Sequence, residues 1–546
     1  MIESARSESG EQVKVLAPCG PILGRVSNDP LSINPALTQF LGVPYAEPPV
    51  GDLRFQPPVP KASFTEPFEA FRFSPASAQV FDPKESKVYE YQDDAATDEP
   101  TYVGVENSLT LNVWTPGCDD RKRPVIVFIH GGANWLESSR VSLYHGDSLA
   151  RRGDLVVVTL NYRLGIFGAL DLSVLGAEAP QGAHANCVRD QLCAIDWVRR
   201  NIAAFGGDPS QITLVGESAG SMDISWMIAA GELRERVRRV VMMSGVGSVT
   251  GFGHDGERST HSLEEGRDRA KAFLSRLKIQ NFEQLKHTST EELLTRAAEV
   301  VRTSNTLFEM DTLFYPRVDP TFAPTNPFVA AAKGAADGLE VLIGFTQYEL
   351  GLWLTWDEQL DQHSPEYAAK VCPFLPNDRR AELAALYRKE LAQEPEGVRG
   401  MHLLSDAMFG APSLIFADGV VRSNPNCWMY RFDYPGTDPR RGALHAADIA
   451  FFLGTWDSAA GRALIGESLT PQMEEERKAL SQKMQDSLTA FARTGSPQTA
   501  ELPEWSPFTS EKQSYMQFNR ACVGATEPLQ RRGEFWLNQI AEPFLD

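Results

Sequence analysis

The chain has 546 residues, of which 42% are hydrophobic and 23% charged, and its formal net charge is −20. These proportions are typical of a globular protein with a sizeable core, and no stretch of eighteen apolar residues predicts a membrane span. Nucleic-acid binding is disfavoured, because phosphate recognition needs clustered basic residues and no continuous basic run exceeds residues 121–123.

Seven cysteines are scattered along the chain without a C-x-x-C pair, so the sequence predicts neither a zinc site nor a disulfide framework. Residues 1–11 carry charges where a secretory signal would need an apolar segment. Both features predict reduced thiols in a cytoplasmic protein. The oligomeric state is left open.

In chain order, residues 13–24 alternate like a strand, and the polar, acidic segment 82–101 predicts a mobile loop. Continuous apolar runs at 124–129 and 155–160 are typical of parallel strands buried on both faces. A helical segment at 189–204 follows them. This alternation of strand and helix predicts an α/β fold, a mostly parallel sheet flanked by helices.

Later segments extend this pattern. Short apolar runs at 240–244, 341–344 and 427–432 predict further strands, and 473–494 predicts an amphipathic helix. Residues 262–303 are charged and helical, with S-x-x-E capping boxes at Ser262/Glu265 and Ser289/Glu292. We expect one domain over residues 1–546, with helical insertions around 255–340 and 355–425.

The motif Gly216-Glu-Ser-Ala-Gly220 lies between an apolar run at 212–215 and a helical segment at 221–230. G-x-S-x-G in this context predicts a nucleophile elbow, a sharp strand-to-helix turn that presents its central serine above the sheet. The glycines leave room where the chain doubles back, and the helix N-terminus favours developing negative charge. The sequence therefore predicts Ser218 as a nucleophile.

A serine nucleophile needs a histidine base oriented by a carboxylate, in the chain order Ser, acid, His. The histidines that follow Ser218 are His254, His261, His287, His363, His402 and His445. We favour His445, which lies in a glycine-containing loop after the strand at 427–432, whereas the first three lie in or beside the charged insertion. Glu349, shortly after the strand at 341–344, is a candidate acid, but spacing alone does not select it among the many carboxylates.

His130-Gly-Gly-Ala-Asn134 follows the predicted strand at 124–129 and is a variant of the H-G-G-G motif. Small residues there would let backbone N–H groups approach an oxyanion, which needs donors fixed in advance. We predict that Gly132, Ala133 and Ala219 form an oxyanion hole.

These motifs resemble the type-B carboxylesterase and cholinesterase family of α/β-hydrolases across nearly the whole chain. Further matching stretches are 40–55, 109–114, Asn161 to Gly168, Asp190-Gln191 and 201–209. The resemblance implies the α/β-hydrolase fold. It selects Glu349 as the acid, with Leu350 where glycine is usual, and His445 as the base. It also suggests two buried structural pairs, Arg54 with Glu106 and Arg163 with Asp190.

Two departures from the family pattern concern a loop and a helix. Ser77 and Ser108 occupy the positions of a disulfide found in many members, so we expect an untethered, more mobile 77–108 loop. That loop lacks the choline-binding tryptophan, which disfavours a cholinesterase. Asp223 replaces a common serine five residues after the nucleophile. It could approach Glu349 and raise a carboxyl pKa, or be an ordinary hydrogen-bonded helix residue.

The expected activity is hydrolysis of small carboxylic esters through an acyl-enzyme, without metal or organic cofactor. Trp135, Trp353, Trp356 and Phe409 are candidates for an apolar gorge, although such aromatic residues are more often core. One alternative is a hydrolase of lactones, amides or carbamates, with the same triad and a different pocket. The other is a non-catalytic binding protein of this fold, which the retained triad disfavours.

Overall fold

The computed structural model describes residues 11–27, 37–81, 101–247, 262–303, 313–372 and 375–538. The strands are β1 Gln12–Ala17, β2 Gly20–Ser27, β3 Leu37–Pro44, β4 Phe68–Glu69, β5 Gln79–Phe81, β6 Thr101–Val103, β7 Thr110–Thr115, β8 Arg123–Ile129, β9 Val156–Leu160, β10 Gly207–Glu217, β11 Arg239–Met243, β12 Glu340–Thr346, β13 Cys427–Phe432, β14 Ser514–Phe518 and β15 Val523–Thr526. The α-helices are α1 Asp147–Gly153, α2 Gly165–Gly168, α3 Asn186–Asn201, α4 Ala219–Ala229, α5 Leu263–Arg276, α6 Phe282–His287, α7 Thr290–Thr303, α8 Pro327–Ala332, α9 Pro365–Ala368, α10 Asn377–Glu390, α11 Glu396–Ser405, α12 Ala411–Val421, α13 Ala447–Phe452, α14 Ala459–Ile465, α15 Pro471–Thr494 and α16 Arg531–Trp536.

The described strands form one large sheet of thirteen strands and a small β5–β6 ribbon. The large sheet has the order β1-β2-β3-β7-β9-β8-β10-β11-β12-β13-β14-β15, and β4 pairs with β2. Strands β9 to β14 in this order are mutually parallel, whereas β1, β2, β3, β7 and β15 join by antiparallel pairing. The mostly parallel sheet with flanking helices confirms the predicted fold class.

The central strands are the ones that the sequence marks most clearly. Every residue of β8 and β9 is buried, as expected of strands covered by helices on both faces. The predicted strand at 427–432 coincides with β13. The segment 13–24 is not one strand but the hairpin of β1 and β2, because the chain turns between Ala17 and Gly20.

The described parts of the two long connections after β11 and β12 are largely helical. The serine half of both predicted capping boxes is present: Ser262 Oγ accepts from Glu265 N, and Ser289 Oγ accepts from Glu292 N. The two glutamate side chains pair instead with Arg269 and Arg296. The predicted helix at 189–204 begins earlier, at Asn186, and its last four residues form a 3₁₀ turn, Ile202–Phe205. Part of the predicted loop at 82–101, residues 82–100, lies outside the described residues.

One long apolar helical stretch of the described residues is 396–421, which comprises α11, a π-helical turn Asp406–Gly410, and α12. It is long and apolar enough to cross a bilayer, but 89% of its most apolar window is buried inside the protein. That burial is typical of a core helix.

Candidate active site

Ser218 occupies the turn between β10 and α4 in a strained conformation, with φ +51° and ψ −119°. Such a backbone costs about 1–3 kcal/mol and persists only where neighbouring structure imposes it. A Cβ on Gly216 would lie 2.5 Å from the Gly220 carbonyl oxygen, and one on Gly220 would lie 2.4 Å from that of Ile129. Both glycines are therefore required sterically. Ser218 is partly exposed, although the residues on either side of it are buried.

The loops after β12 and β13 bring Glu349 and His445 together. His445 Nδ1 lies 2.6 Å from Glu349 Oε2, and the backbone N–H of His445 donates to the Glu349 carbonyl oxygen at 3.1 Å. The second carboxylate oxygen of Glu349 accepts from Thr346 N at 2.7 Å. Both side chains are buried, so this hydrogen bond fixes the orientation of the imidazole in a site of low polarity.

The other ring nitrogen of His445 faces a second carboxyl group, that of Glu217. Nε2 of His445 lies 3.2 Å from Oε1 of Glu217. Neither atom has an aligned hydrogen-bond partner in the part of the chain that the structure describes, so Ser218 does not hydrogen-bond to Nε2 in this conformation. Nε2 therefore makes no hydrogen bond among the described residues.

Buried acidic groups dominate the electrostatics around this imidazole. Burial raises the pKa of Glu217 to about 8 and that of Asp448 to about 7. Burial alone would lower the pKa of His445, but the carboxyl groups of Glu217 and Glu349 outweigh it and raise that pKa above its ordinary value. The surroundings therefore favour a positively charged imidazolium.

The loop after β8 has three consecutive residues with positive φ: Gly132 at +89°, Ala133 at +54° and Asn134 at +53°. A Cβ on Gly131 would lie 2.9 Å from the Ser218 Cβ, so this loop packs directly against the elbow. The backbone N–H groups of Gly132, Ala133 and Ala219 have no acceptor among the described residues. These donors are available to a ligand, and Gly132 and Ala133 are partly exposed.

Comparisons with known proteins identify the family of the chain. The model of the carboxylesterase family matches residues 11–536. The chain belongs to the carboxylesterase family. It is a carboxylic ester hydrolase with an α/β-hydrolase fold. Para-nitrobenzyl esterase of Bacillus subtilis (strain 168) is 34% identical over 476 residues, which cover 87% of this chain and 89% of the relative.

Two further relatives extend the likeness. Phenmedipham hydrolase of Pseudarthrobacter oxydans is 31% identical over 86% of this chain and 89% of its own. A solved structure of a Geobacillus stearothermophilus carboxylesterase matches with a TM-score of 0.78 and 30% identity, over 96% of this chain and 99% of that one.

In this carboxylesterase, the hypothesis that Asp223 approaches Glu349 is wrong. Asp223 Oδ1 accepts from Asn134 Nδ2 at 3.1 Å, and Oδ2 accepts from Gln191 Nε2 at 2.5 Å. The carboxyl groups that raise the pKa of His445 are those of Glu217, Glu349 and Asp448, and Asp223 is not among them. The Asp223 side chain therefore faces the loop after β8 and helix α3.

The four predicted gorge aromatics divide between two places. The rings of Trp353 and Phe409 lie against His445, with centroids 5.2 and 4.4 Å from the imidazole, and Trp356 lies 6.3 Å from Trp353. Trp135 stacks instead on Phe314 at 4.7 Å. Phe409 belongs to the π-helical turn of 406–410, a feature that often accompanies functional sites.

No disulfide closes the 77–108 loop, as expected, but hydrogen bonds hold its base, and residues 82–100, on which the expected mobility depends, lie outside the described residues. Ser77 Oγ and Ser108 Oγ are hydrogen-bonded at 2.8 Å, and Ser77 Oγ also donates to the Tyr162 carbonyl oxygen. Just beyond, β5 and β6 pair as an antiparallel ribbon. A hydrogen bond between two buried serine hydroxyls thus occupies the position of the disulfide that the family resemblance suggested.

Both predicted structural pairs are confirmed. Arg54 contacts Glu106 at 2.8 Å, and Arg163 binds Asp190 through two hydrogen bonds of 2.6 and 2.7 Å. Among the other candidate histidines, His287 is exposed and lies 3.2 Å from Glu283, while residues 254 and 261 fall outside the described residues.

Sequence reasoning missed Glu217 as a member of the site, although its place beside the nucleophile at the end of a buried strand was a usable signal. It also missed the contacts of Asn134 and Gln191 with Asp223. These join three segments that are far apart in the chain, and no spacing rule connects them.

Proposed function

We propose that this carboxylesterase cleaves small carboxylic esters through an acyl-enzyme formed on Ser218. His445 acts as the base, Glu349 holds its ring, and Gly132, Ala133 and Ala219 bind the oxyanion. The observation that carries the proposal is the 2.6 Å hydrogen bond from His445 Nδ1 to Glu349, with Nε2 left free. When the ring is neutral, that bond keeps the proton on Nδ1 and leaves Nε2 as the proton acceptor.

In the first half-reaction, Ser218 Oγ bonds to the ester carbonyl carbon as its proton passes to His445 Nε2. The carbonyl π electrons move to oxygen, where the three backbone N–H groups stabilise the negative charge. Collapse of this intermediate breaks the bond to the alkoxy oxygen, which takes the proton from His445 and leaves as the alcohol. Water then attacks the acyl-enzyme by the same steps and releases the acid.

This mechanism needs Ser218 Oγ within hydrogen-bond reach of His445 Nε2. In the free protein that bond is absent, and such bonds often tighten only when substrate binds.

The test is hydrolysis of p-nitrophenyl and p-nitrobenzyl esters, matched lactones and amides by the wild type, Ser218→Ala and His445→Ala. We expect losses of at least 10³-fold in kcat for both variants. We also expect a fluorophosphonate probe to label wild type at Ser218 only. His287→Ala is the matched control, because His287 is exposed and pairs only with Glu283 among the described contacts. Wild-type turnover by Ser218→Ala would refute the mechanism.

The same panel addresses the substrate class. Ester turnover that exceeds lactone and amide turnover by tenfold or more supports an ester specialist, and the reverse order would replace it with the lactone or amide hydrolase.

We also propose that the enzyme works in the cytoplasm. All seven cysteines have free thiols, five of them buried, as expected in a reducing compartment. The base of the 77–108 loop is held by a hydrogen bond between Ser77 and Ser108, which needs no oxidising environment. Fractionation of the source cells with activity assays would test this, and activity confined to the extracellular fraction would contradict it.

A further inference from the structure

Asp223 joins three segments of the site through two hydrogen bonds. Its carboxylate accepts from Asn134 Nδ2, on the loop after β8, and from Gln191 Nε2, on α3. Asp223 itself lies on α4. All three side chains are fully buried, so these bonds do not compete with water.

The loop after β8, which contains Asn134, is held in an unfavourable backbone conformation. Ala133 and Asn134 both have left-handed φ, which non-glycine residues adopt only when their surroundings impose it. Asn134 is fixed at two points: its carbonyl oxygen accepts from Gly165 N at 2.6 Å, and its side chain donates to Asp223. Removing one point leaves the strained backbone of Ala133 free to relax.

Asp223 also lies on the helix that begins with Ala219. Residues four apart share one side of a helix, so Asp223 is placed one turn below the N–H of Ala219. The oxyanion donors come from two separate segments, the loop 132–133 and the first residue of α4. One side chain thus connects the two segments that must surround the same oxygen atom.

We propose that Asp223 is a positioning residue that fixes the spacing between the Ala133 and Ala219 N–H groups by binding Asn134. This inference rests on the proposed function, because it concerns the oxyanion hole. It assigns to Asp223 an effect on the transition state that an ordinary hydrogen-bonded core residue would not have.

The experiment compares Asp223→Ala with Asp223→Asn. Alanine removes both hydrogen bonds. Asparagine can keep both, because the Oδ1 of Asn134 and the Oε1 of Gln191 lack partners among the described residues, so either amide can flip and accept. Ser225→Ala is the matched control: Ser225 is buried on the same helix, and among the described contacts its hydroxyl donates only to the Met222 carbonyl oxygen.

For Asp223→Ala we expect kcat to fall at least tenfold, with KM changed less than threefold. Affinity for a trifluoromethyl ketone, which forms an oxyanion on Ser218, should fall by the same factor as kcat/KM. Asp223→Asn should remain within about threefold of wild type. Ser225→Ala should lose thermal stability without the loss in kcat.

Three results would overturn the inference: unchanged kcat in Asp223→Ala, a rise in KM alone, or equal losses in the asparagine and alanine variants. If Asp223→Ala does not fold, Asn134→Ala, which removes the same bond from the loop side, must give the loss in kcat. An inactive, unlabelled wild type would instead refute the proposed function, so the two failures are distinct.

Discussion

Glu217 Oε1 lies 3.2 Å from His445 Nε2, while Glu349 Oε2 lies 2.6 Å from Nδ1 of the same ring. The imidazole is therefore placed between two buried carboxyl groups. Glu349 accepts a well-formed hydrogen bond and sets the tautomer. Glu217 has no such bond, and its effect on the ring is that of a nearby charge.

Glu217→Gln should move the acid limb of the kcat/KM profile to lower pH. His445 must be neutral to act as a base, and a neighbouring negative charge favours its protonated form. Removing that charge lowers the pKa of His445, so activity appears at lower pH, by roughly 0.5 to 1 pH unit. Measurement of kcat/KM from pH 4 to 9 tests this, and a limb that is unmoved or moves to higher pH would contradict it.

Glu349→Gln should reduce kcat roughly 10³- to 10⁴-fold. Because Thr346 N donates to Oε1 of Glu349, the amide oxygen of the glutamine is needed there, and its NH₂ group then faces His445 Nδ1. The ring must adopt the opposite tautomer, which places its proton on Nε2 and prevents it from accepting the Ser218 proton. Steady-state kinetics at pH 8 measure the loss.

Asp448→Asn is the control for Glu349→Gln. It neutralises a buried carboxyl group that accepts from the Tyr430 hydroxyl and affects His445 only through its charge. We expect it to lose less than tenfold in kcat. Equal losses in the two variants would show that charge, and not the tautomer, is what Glu349 provides.

The sheet and the elbow were predictable from the sequence because each depends on local pattern. The apolar runs of β8 and β9 are buried on both faces, and Gly216 and Gly220 are the residues that a tight strand-to-helix turn requires. Selection of Glu349 depended on the family resemblance. The structure adds an independent reason, the hydrogen bond to His445.

The environments of Ser77, Asp223 and Glu217 were not predictable in the same way. Ser77 has two partners, one of them 31 residues away, and Asp223 has partners 32 and 89 residues away. Such contacts depend on how distant segments pack. The sequence shows that serines stand at the two positions where many family members have a disulfide. It does not show that the hydroxyls of Ser77 and Ser108 hydrogen-bond to each other.

Replacement of both Ser77 and Ser108 by cysteine should produce a disulfide. Their hydroxyl oxygens are 2.8 Å apart, and both lie at the base of the loop. Closure of this loop should stabilise the oxidised protein by about 2–4 kcal/mol. Thermal unfolding with and without reductant measures the gain, and thiol titration of the denatured protein should still count seven free cysteines. Nine reactive thiols after oxidation, or equal melting temperatures, would contradict the prediction.

Asp223→Asn should be more stable than wild type at pH 8, by up to roughly 4 kcal/mol, and the difference should shrink in acid. Burial raises the pKa of Asp223 from 3.8 to about 7, so its contribution to stability is fully present below pH 4 and is lost as pH rises through 7. The asparagine does not ionise and escapes this loss. Tyr162 and Cys187, which face Asp223, also have raised pKa values and stay neutral in this window. Glu217 and Asp448 titrate in both proteins, so the informative quantity is the difference in unfolding free energy between variant and wild type, measured by urea denaturation from pH 4 to 8. A difference that does not grow with pH would show that Asp223 is not the group that ionises.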